Sequence, residues 1–292
     1  MQKIKQQDMT VEKYTVKADN SMRAEKLVKL KYPHLSRNEI HSLFSDNRVS
    51  IKKLPVKKGH IIKKSENITV LLNEAQSSGE ISPNSTVKFS IVFEDTHLLA
   101  VSKPENTHTV PVSYADSDTL MNGIKHYTGS MVPLPSPLNA GSINRLDFET
   151  TGLVLLAKTE EAYKVLTANY KKVSTEKYYF ARVHGIPENY VFMQDSIGEK
   201  GGTPKNGEAE LLIIKKYKKE SIVLLRLITG LRHQLRIQLS NRGYPIKGDR
   251  LYGSKEITSE RMYLHSYSVE LNHPCTNKRM ILCAHLPDQW EV

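Results

Sequence analysis

The chain alternates short apolar runs with polar breaks and carries no long amphipathic stripe. Near the start, Met22–Tyr32 has helical periodicity. Ser36-Arg37-Asn38-Glu39 spells a capping box, with the serine hydroxyl placed for the amide three residues on and the glutamate reaching back. Ile40, Leu43 and Phe44 follow at i, i+3 and i+4, the apolar stripe of a second short helix. Arg48–Ile51, a turn around Leu54-Pro55, and Ile68–Leu72 read as a small hairpin. Residues 74–85, rich in Ser, Gly and Pro, read as a flexible linker. Beyond them strand signals dominate, over Phe89–Phe93, Leu98–Val101, Leu153–Ala157, Lys177–Val183 and Ile222–Ile228. Thr159 is placed to cap a helix over 160–172, and Thr229 one that ends before Gly243. The pattern predicts an α+β protein. A small module spans 14–73, a linker 74–85, and a larger domain 86–292 with a large, mainly antiparallel sheet and flanking helices.

Composition narrows the class. With 292 residues, 39% hydrophobic and 25% charged, the chain matches a soluble globular protein. No apolar run approaches the ~20 residues of a membrane span. The polar start Met1–Thr10, with Asp8, lacks the apolar centre of a signal peptide, so the cytoplasm is the expected location. Two cysteines, Cys275 and Cys283, are too few for a disulfide framework. The formal charge of +11 is unevenly spread: residues 1–72 carry sixteen Lys/Arg against seven Asp/Glu, or +9, which leaves +2 for the rest. Such concentration reads as a footprint for a polyanion, most often nucleic acid.

The candidate chemistry lies in four ordered segments. Ile143-Asn144-Arg145-Leu146-Asp147-Phe148-Glu149-Thr150-Thr151-Gly152 runs into the apolar Leu153–Ala157, which sets a charge pair at the edge of a core. Lys177–Gly185, Thr229–Arg236 and Pro245–Gly253 follow. Arg-Leu-Asp, two variable positions, then Thr-Thr-Gly before a strand closely resembles the signature of the RluA-type RNA pseudouridine synthases. Lys177-Tyr178-Tyr179-Phe180-Ala181 resembles that family's Lys-x-Tyr-x-Ala strand. Thr229-Gly230-Leu231-Arg232-His233-Gln234-Leu235-Arg236 resembles its Thr-Gly-x-x-His-Gln-Leu-Arg segment. Lys103-Pro104 and Phe93-Glu94-Asp95 upstream, and Leu264-His265-Ser266, His273-Pro274 and Leu286-Pro287 downstream, resemble its opening and closing strand pairs. The likeness spans residues 88–290. Leu35–Asn38 through Arg48-Val49 to Pro55-Val56 also resembles the αL RNA-binding domain, a ribosomal small-subunit protein type often fused before this synthase domain. It departs where a Val-Asn-Gly turn is usual, since Ser50-Ile51-Lys52-Lys53 stands there.

The resemblance implies isomerisation of uridine in structured RNA, with large-subunit ribosomal RNA favoured over transfer RNA and a monomer acting alone. The reaction breaks the N1–C1′ bond, rotates the uracil and joins C5 to C1′, so it requires no cofactor. Cys275, Cys283 and His285 lack a tight metal-ligand pair, and no metal is expected. By resemblance Asp147 is the catalytic carboxylate, as nucleophile or as base at the sugar 2′ carbon. Arg236 keeps it ionised, and Tyr179 stacks on the uracil. Arg145, Thr150, Lys177, Arg232, His233 and Gln234 are the expected substrate contacts, with Arg145 placed to fill the space left by a flipped base. Arg23, Lys26, Arg37, Asn38, Arg48, Lys52 and Lys57 are the expected RNA contacts of the first module. Asn144, Leu231 and Arg232 depart from the family's usual His, Arg and Thr or Ser. Two rival classes are a non-catalytic RNA-binding or ribosome-assembly protein on the same fold, and a hydrolytic nucleosidase. Retention of Asp147, Tyr179 and Arg236 together argues against the first. The second needs another carboxylate, for which Glu149 is the only nearby candidate.

Overall fold

The computed structural model describes residues 11–130, 137–139, 141–172, 175–198, 203–253 and 261–290. The polar start Met1–Thr10 lies outside the described residues. Two compact units emerge. The first runs to Thr86 and takes in Pro111–Ser130; the second holds Val87–Val110 and the chain from residue 141 on.

The first unit contains strands β1 (Val11–Lys17), β2 (Met22–Arg23), β3 (Val49–Ile51), β4 (Leu54–Pro55), β5 (Ile61–Ile62) and β6 (Asn67–Asn73). Its helices are α1 (Ala24–Lys31), α2 (Arg37–Ser45), α3 (Glu74–Ser78) and α4 (Leu120–Thr128). The main sheet has the order β1-β6-β3-β4, and β2 pairs with β5. Val28, Leu35, Leu43, Val49, Ile68, Val70 and Leu72 form one buried core with Tyr114. The capping box of α2 forms as its sequence predicts: Glu39 N–H donates to Ser36 Oγ, and Ser36 N–H to Glu39 Oε2.

Three sequence expectations change here. The helix expected over 22–32 starts only at Ala24, after the two-residue β2. The linker expected over 74–85 opens with α3, whose N-cap Asn73 and Gln76 form a second capping box. The short polar run concealed a cap. Residues 111–130, expected in the larger domain, group with the first unit. One reason is Glu39: the same carboxylate accepts from Ser113 Oγ at 3.0 Å and from Tyr114 N–H at 2.8 Å.

The second unit is an α+β structure on one nine-stranded sheet. Its strands are β7 (Ser90–Glu94), β8 (Leu98–Lys103), β9 (Thr151–Ala157), β10 (Glu176–His184), β11 (Tyr190–Ile197), β12 (Lys205–Lys216), β13 (Glu220–Leu227), β14 (Leu264–Asn272) and β15 (Arg279–Cys283). The order is β11-β12-β13-β10-β14-β9-β8-β7, with β15 on the far half of β14. Every pairing is antiparallel except β9 with β14, at His265–Thr151 and Ser266–Gly152. Helix α5 (Glu160–Tyr170), capped by Thr159, contributes Ala162 and Leu166 to a core with Leu98, Leu153, Leu155 and Val269. Helix α6 (Gln234–Asn241) begins five residues after Thr229, not at it. The Thr229 hydroxyl accepts from Glu208 N–H and bonds Gln234 Oε1, so it joins the turn to β12 and caps nothing.

Candidate active site

The Asp147 loop is fixed from both sides. Downstream, Gly152 sits at φ +106°, where a Cβ would lie 2.2 Å from Ser266 O. Only glycine allows this close parallel approach of β9 to β14. Upstream, the Thr109 hydroxyl donates to Leu146 O and accepts from Leu146 N–H, both at 3.0 Å. Thr107 N–H donates to Phe148 O at 3.1 Å. The buried Lys103 ammonium reaches Pro104 O, Thr107 O and Phe148 O at 2.8, 2.9 and 3.2 Å. Burial lowers its pKa to about 7, against the pull of Asp147 and Glu105. Leu146 and Thr150 are buried, while Arg145 and Phe148 are exposed and Asp147 is partly so. The backbone is held inward and the side chains of Arg145, Asp147 and Phe148 face out.

Arg236 enters from α6, only 5% exposed. Its Nη1 donates to Asp147 Oδ2 at 2.8 Å, and its Nε and Nη2 fork onto Asp249 at 2.7 and 2.8 Å. Burial works against the guanidinium charge, but Asp249 and Asp147 outweigh it and raise the pKa further. Burial likewise opposes ionisation of Asp249, yet Arg236 and the amides of Tyr252 and Leu251 hold its carboxyl below the usual range. Glu149 lies farther off, its Oε2 3.9 Å from Arg236 Nη2.

His233 flanks the other carboxylate oxygen, with Nε2 3.6 Å from Asp147 Oδ1. It occupies a left-handed conformation at φ 54°, which turns the chain into α6. Its Nδ1 lies 2.9 Å from the Tyr252 hydroxyl, and the Tyr252 ring also lies 5.3 Å from the Arg236 guanidinium. Burial lowers the imidazole pKa; Asp147 opposes this, and Arg236 and Arg232 reinforce it. Tyr179 is 8% exposed. Burial raises its phenol pKa, a hydrogen bond with Ser266 opposes the rise, and the Asp147 charge adds to it. The ring therefore shares the electrostatic environment of Asp147. Tyr178 takes the other face of β10 and bonds Glu176.

The remaining expected contacts divide. Arg145 and Arg232 are exposed. Lys177 is buried, its ammonium 3.4 Å from Tyr170 O and 5.4 Å from that ring. The Gln234 amide is used internally. Its Oε1 accepts from Leu231 N–H and Thr229 Oγ1, and its Nε2 donates to Glu208 O. Thr150 is 2% exposed. Asn144 pairs with the backbone of β9, Nδ2 to Leu153 O and Oδ1 from Leu155 N–H, so this departure from the family serves the strand. Asp249, Tyr252 and Lys103 were given no role from sequence. Their segments were visible, but nothing in their spacing marks which side chain turns toward Arg236 or Asp147.

In the first unit, Arg23, Lys26, Arg37, Asn38, Lys52 and Lys57 are exposed. Arg48 is not a free contact: it is half-buried, donates to Gln76 Oε1 at 3.0 Å, and burial lowers its pKa. Lys52 and Lys53 form the β3–β4 turn with φ 48° and 71°, so two lysines adopt the conformation that Asn-Gly usually supplies. Among the described residues no group of three or more His, Cys, Asp or Glu could hold a metal, and no helix is long and apolar enough to cross a membrane.

Known proteins agree with this architecture. A family profile described as RNA pseudouridylate synthase matches residues 97–241. The chain is 27% identical over 282 residues to the ribosomal large subunit pseudouridine synthase D of Pseudomonas aeruginosa, covering 89% of this chain and 87% of that one. It is 30% identical over 239 residues to the uncharacterized RNA pseudouridine synthase YjbO of Bacillus subtilis, covering 78% and 83%. In fold it resembles human RNA Pseudouridylate Synthase Domain Containing 1, with a TM-score of 0.56 and 24% identity over 71% of this chain and 87% of that chain. The chain belongs to the RluA-type family of RNA pseudouridine synthases.

Proposed function

We propose that the protein converts uridine to pseudouridine in large-subunit ribosomal RNA, with Asp147 acting at C1′ or at the 2′ proton. The observation that carries this reading is a partly exposed carboxylate bonded to a buried arginine, with a buried phenol sharing its electrostatic environment. The target base is flipped from its stack, at a cost of a few kcal/mol. Arg236 stabilises the carboxylate anion, Tyr179 holds the detached uracil against loss, and Arg145 occupies the vacated position. Isomerisation transfers no electrons and consumes no second substrate, so these side chains suffice. The first unit serves as an αL-type RNA-binding module, and its exposed cations contact phosphates. The enzyme works as a cytoplasmic monomer. The large-subunit relatives favour ribosomal over transfer RNA.

The test is Asp147→Asn, which keeps the shape and removes the charge. Tritium release from 5-tritiated uridine in a large-subunit RNA transcript is expected to fall to background while RNA affinity stays within a few-fold. Pseudouridine mapping with and without the gene then identifies the position. Robust activity in the variant would remove Asp147 from its role.

A further inference from the structure

We propose that Phe148, its ring tilted against His108, forms a platform that seats an RNA base next to the target uridine. This rests on the reading of the site as an RNA-modifying centre.

A lone exposed apolar side chain is common and by itself means little. Phe148 differs in three ways. It follows Asp147 directly and is 42% exposed. Its backbone is immobilised: the carbonyl takes bonds from Lys103 Nζ and Thr107 N–H, and Leu146 is tied to Thr109 two residues before. Finally, its ring already has an aromatic neighbour, since the exposed His108 ring lies 4.7 Å away at 43°. The segment 107–109 that fixes the loop therefore also supplies the second ring.

This geometry suits a base better than a general apolar contact. The exposed Phe148 ring, on a backbone tied by Lys103 and Thr107 and with His108 against its side, offers a π-face whose ordering cost is partly met before RNA arrives. Aromatic stacking accepts any base and excludes no sequence, as a group beside a flipped nucleotide requires. Arg145, on the other side of Asp147, is exposed and forms no hydrogen bond or ion pair among the described residues. Along the chain an exposed cation precedes the carboxylate and an exposed aromatic follows it, suited to phosphate and base respectively.

The experiment uses the full chain with Phe148→Trp, Phe148→Leu and Phe148→Ala. The sequence has one tryptophan, Trp290, which is buried, so an indole at 148 reports over a constant background. Decauridylate is expected to quench the Phe148→Trp emission saturably, whereas inorganic polyphosphate, a polyanion without bases, leaves it unchanged. Affinity for decauridylate is expected to stay within threefold in Phe148→Trp and to fall about 5- to 150-fold in Phe148→Ala, the range of one lost stack. Phe148→Leu is expected to behave like Ala, since it keeps apolar area without a π-face. Unchanged emission with decauridylate, quenching by polyphosphate as well, or a leucine variant that binds like wild type would each overturn the platform. Adding Asp147→Asn to the tryptophan variant keeps the quenching even if the catalytic assignment fails, so the two ideas are judged separately.

Discussion

Asp249 grips Arg236 at Nε and Nη2, and so presents Nη1 to Asp147. The grip is anchored in turn, because Asp249 Oδ1 also accepts from the amides of Leu251 and Tyr252. Bidentate pairs of this kind fix direction as well as charge.

Asp249→Asn is therefore expected to lower turnover about 100-fold with little change in KM, and to cost about 3 kcal/mol of stability by breaking a buried pair. Combined with Arg236→Met, it is expected to add almost nothing to the loss from Arg236→Met alone. Single-turnover tritium release and urea unfolding measure both. An additive loss would mean that Asp249 acts by some route other than the arginine.

Gly152→Ala tests the parallel contact under the loop. A Cβ there meets Ser266 backbone on all three nearest atoms, at 2.2, 2.8 and 2.9 Å, so no side chain can yield. The expected cost is about 2–5 kcal/mol, from overpacking and an unfavourable φ together. Activity is expected to fall even at temperatures where the variant stays folded, because the strand carries Asp147 with it.

His265 gives the protein an acid-sensitive hinge of stability. Its Nδ1 bonds the Thr151 hydroxyl and its Nε2 lies 3.3 Å from Ala284 O, an arrangement satisfied by the neutral ring. Burial lowers its pKa from 6.5 to about 4, with the Ala284 bond opposing and Arg261 adding to the shift. Between those values the unfolded chain holds the proton and the folded one does not, so stability rises with pH across the window. Unfolding free energy is expected to drop by ~3 kcal/mol from pH 6.5 to 4 on this account. His265→Gln, measured by urea unfolding over that range, is expected to flatten the dependence.

Lys53→Gly relieves the strained β3–β4 turn, where Lys53 has φ 71°. A gain of about 1 kcal/mol is expected. Thermal unfolding of the full chain reads it.

Salt dependence separates the basic surface from the catalytic site. Replacing Arg37, Lys52 and Lys57 together with alanine removes up to three phosphate contacts, each worth about 0.7 in the logarithmic salt slope on single strands. The slope is expected to flatten by ~2, with turnover at saturating RNA retained. An unaltered slope would show that these cations only solvate the surface.

Much of this could be read in advance. Apolar strands such as Leu153–Ala157 and the Ser36–Glu39 cap announce themselves because local sequence meets local geometry there. β1, β11 and β12 escaped notice. Lys205–Lys216 mixes Lys, Asn, Gly and Glu, and its edge-side partner β11 leaves Tyr190 and Phe192 exposed, so alternation is blurred. In the site, Asp147 and Arg236 were found by resemblance across eighty-nine residues. Asp249 and Tyr252 were not, since their work depends on where a turn places them. The motifs of Gln234 and Lys177 were clear, and what they do not reveal is that both side chains are buried.

The Glu39 carboxylate waits for partners that lie 74 and 75 residues further along the chain. As the polypeptide leaves the ribosome, the first unit cannot finish folding when its own strands are complete at Asn73. Its core is complete, and the Glu39 carboxylate bonded, only once Ser113 and Tyr114 have followed β7 and β8. Assembly is therefore interlaced in time. A cut at residue 80 would divide a single folding unit and leave Tyr114 without the core it belongs to.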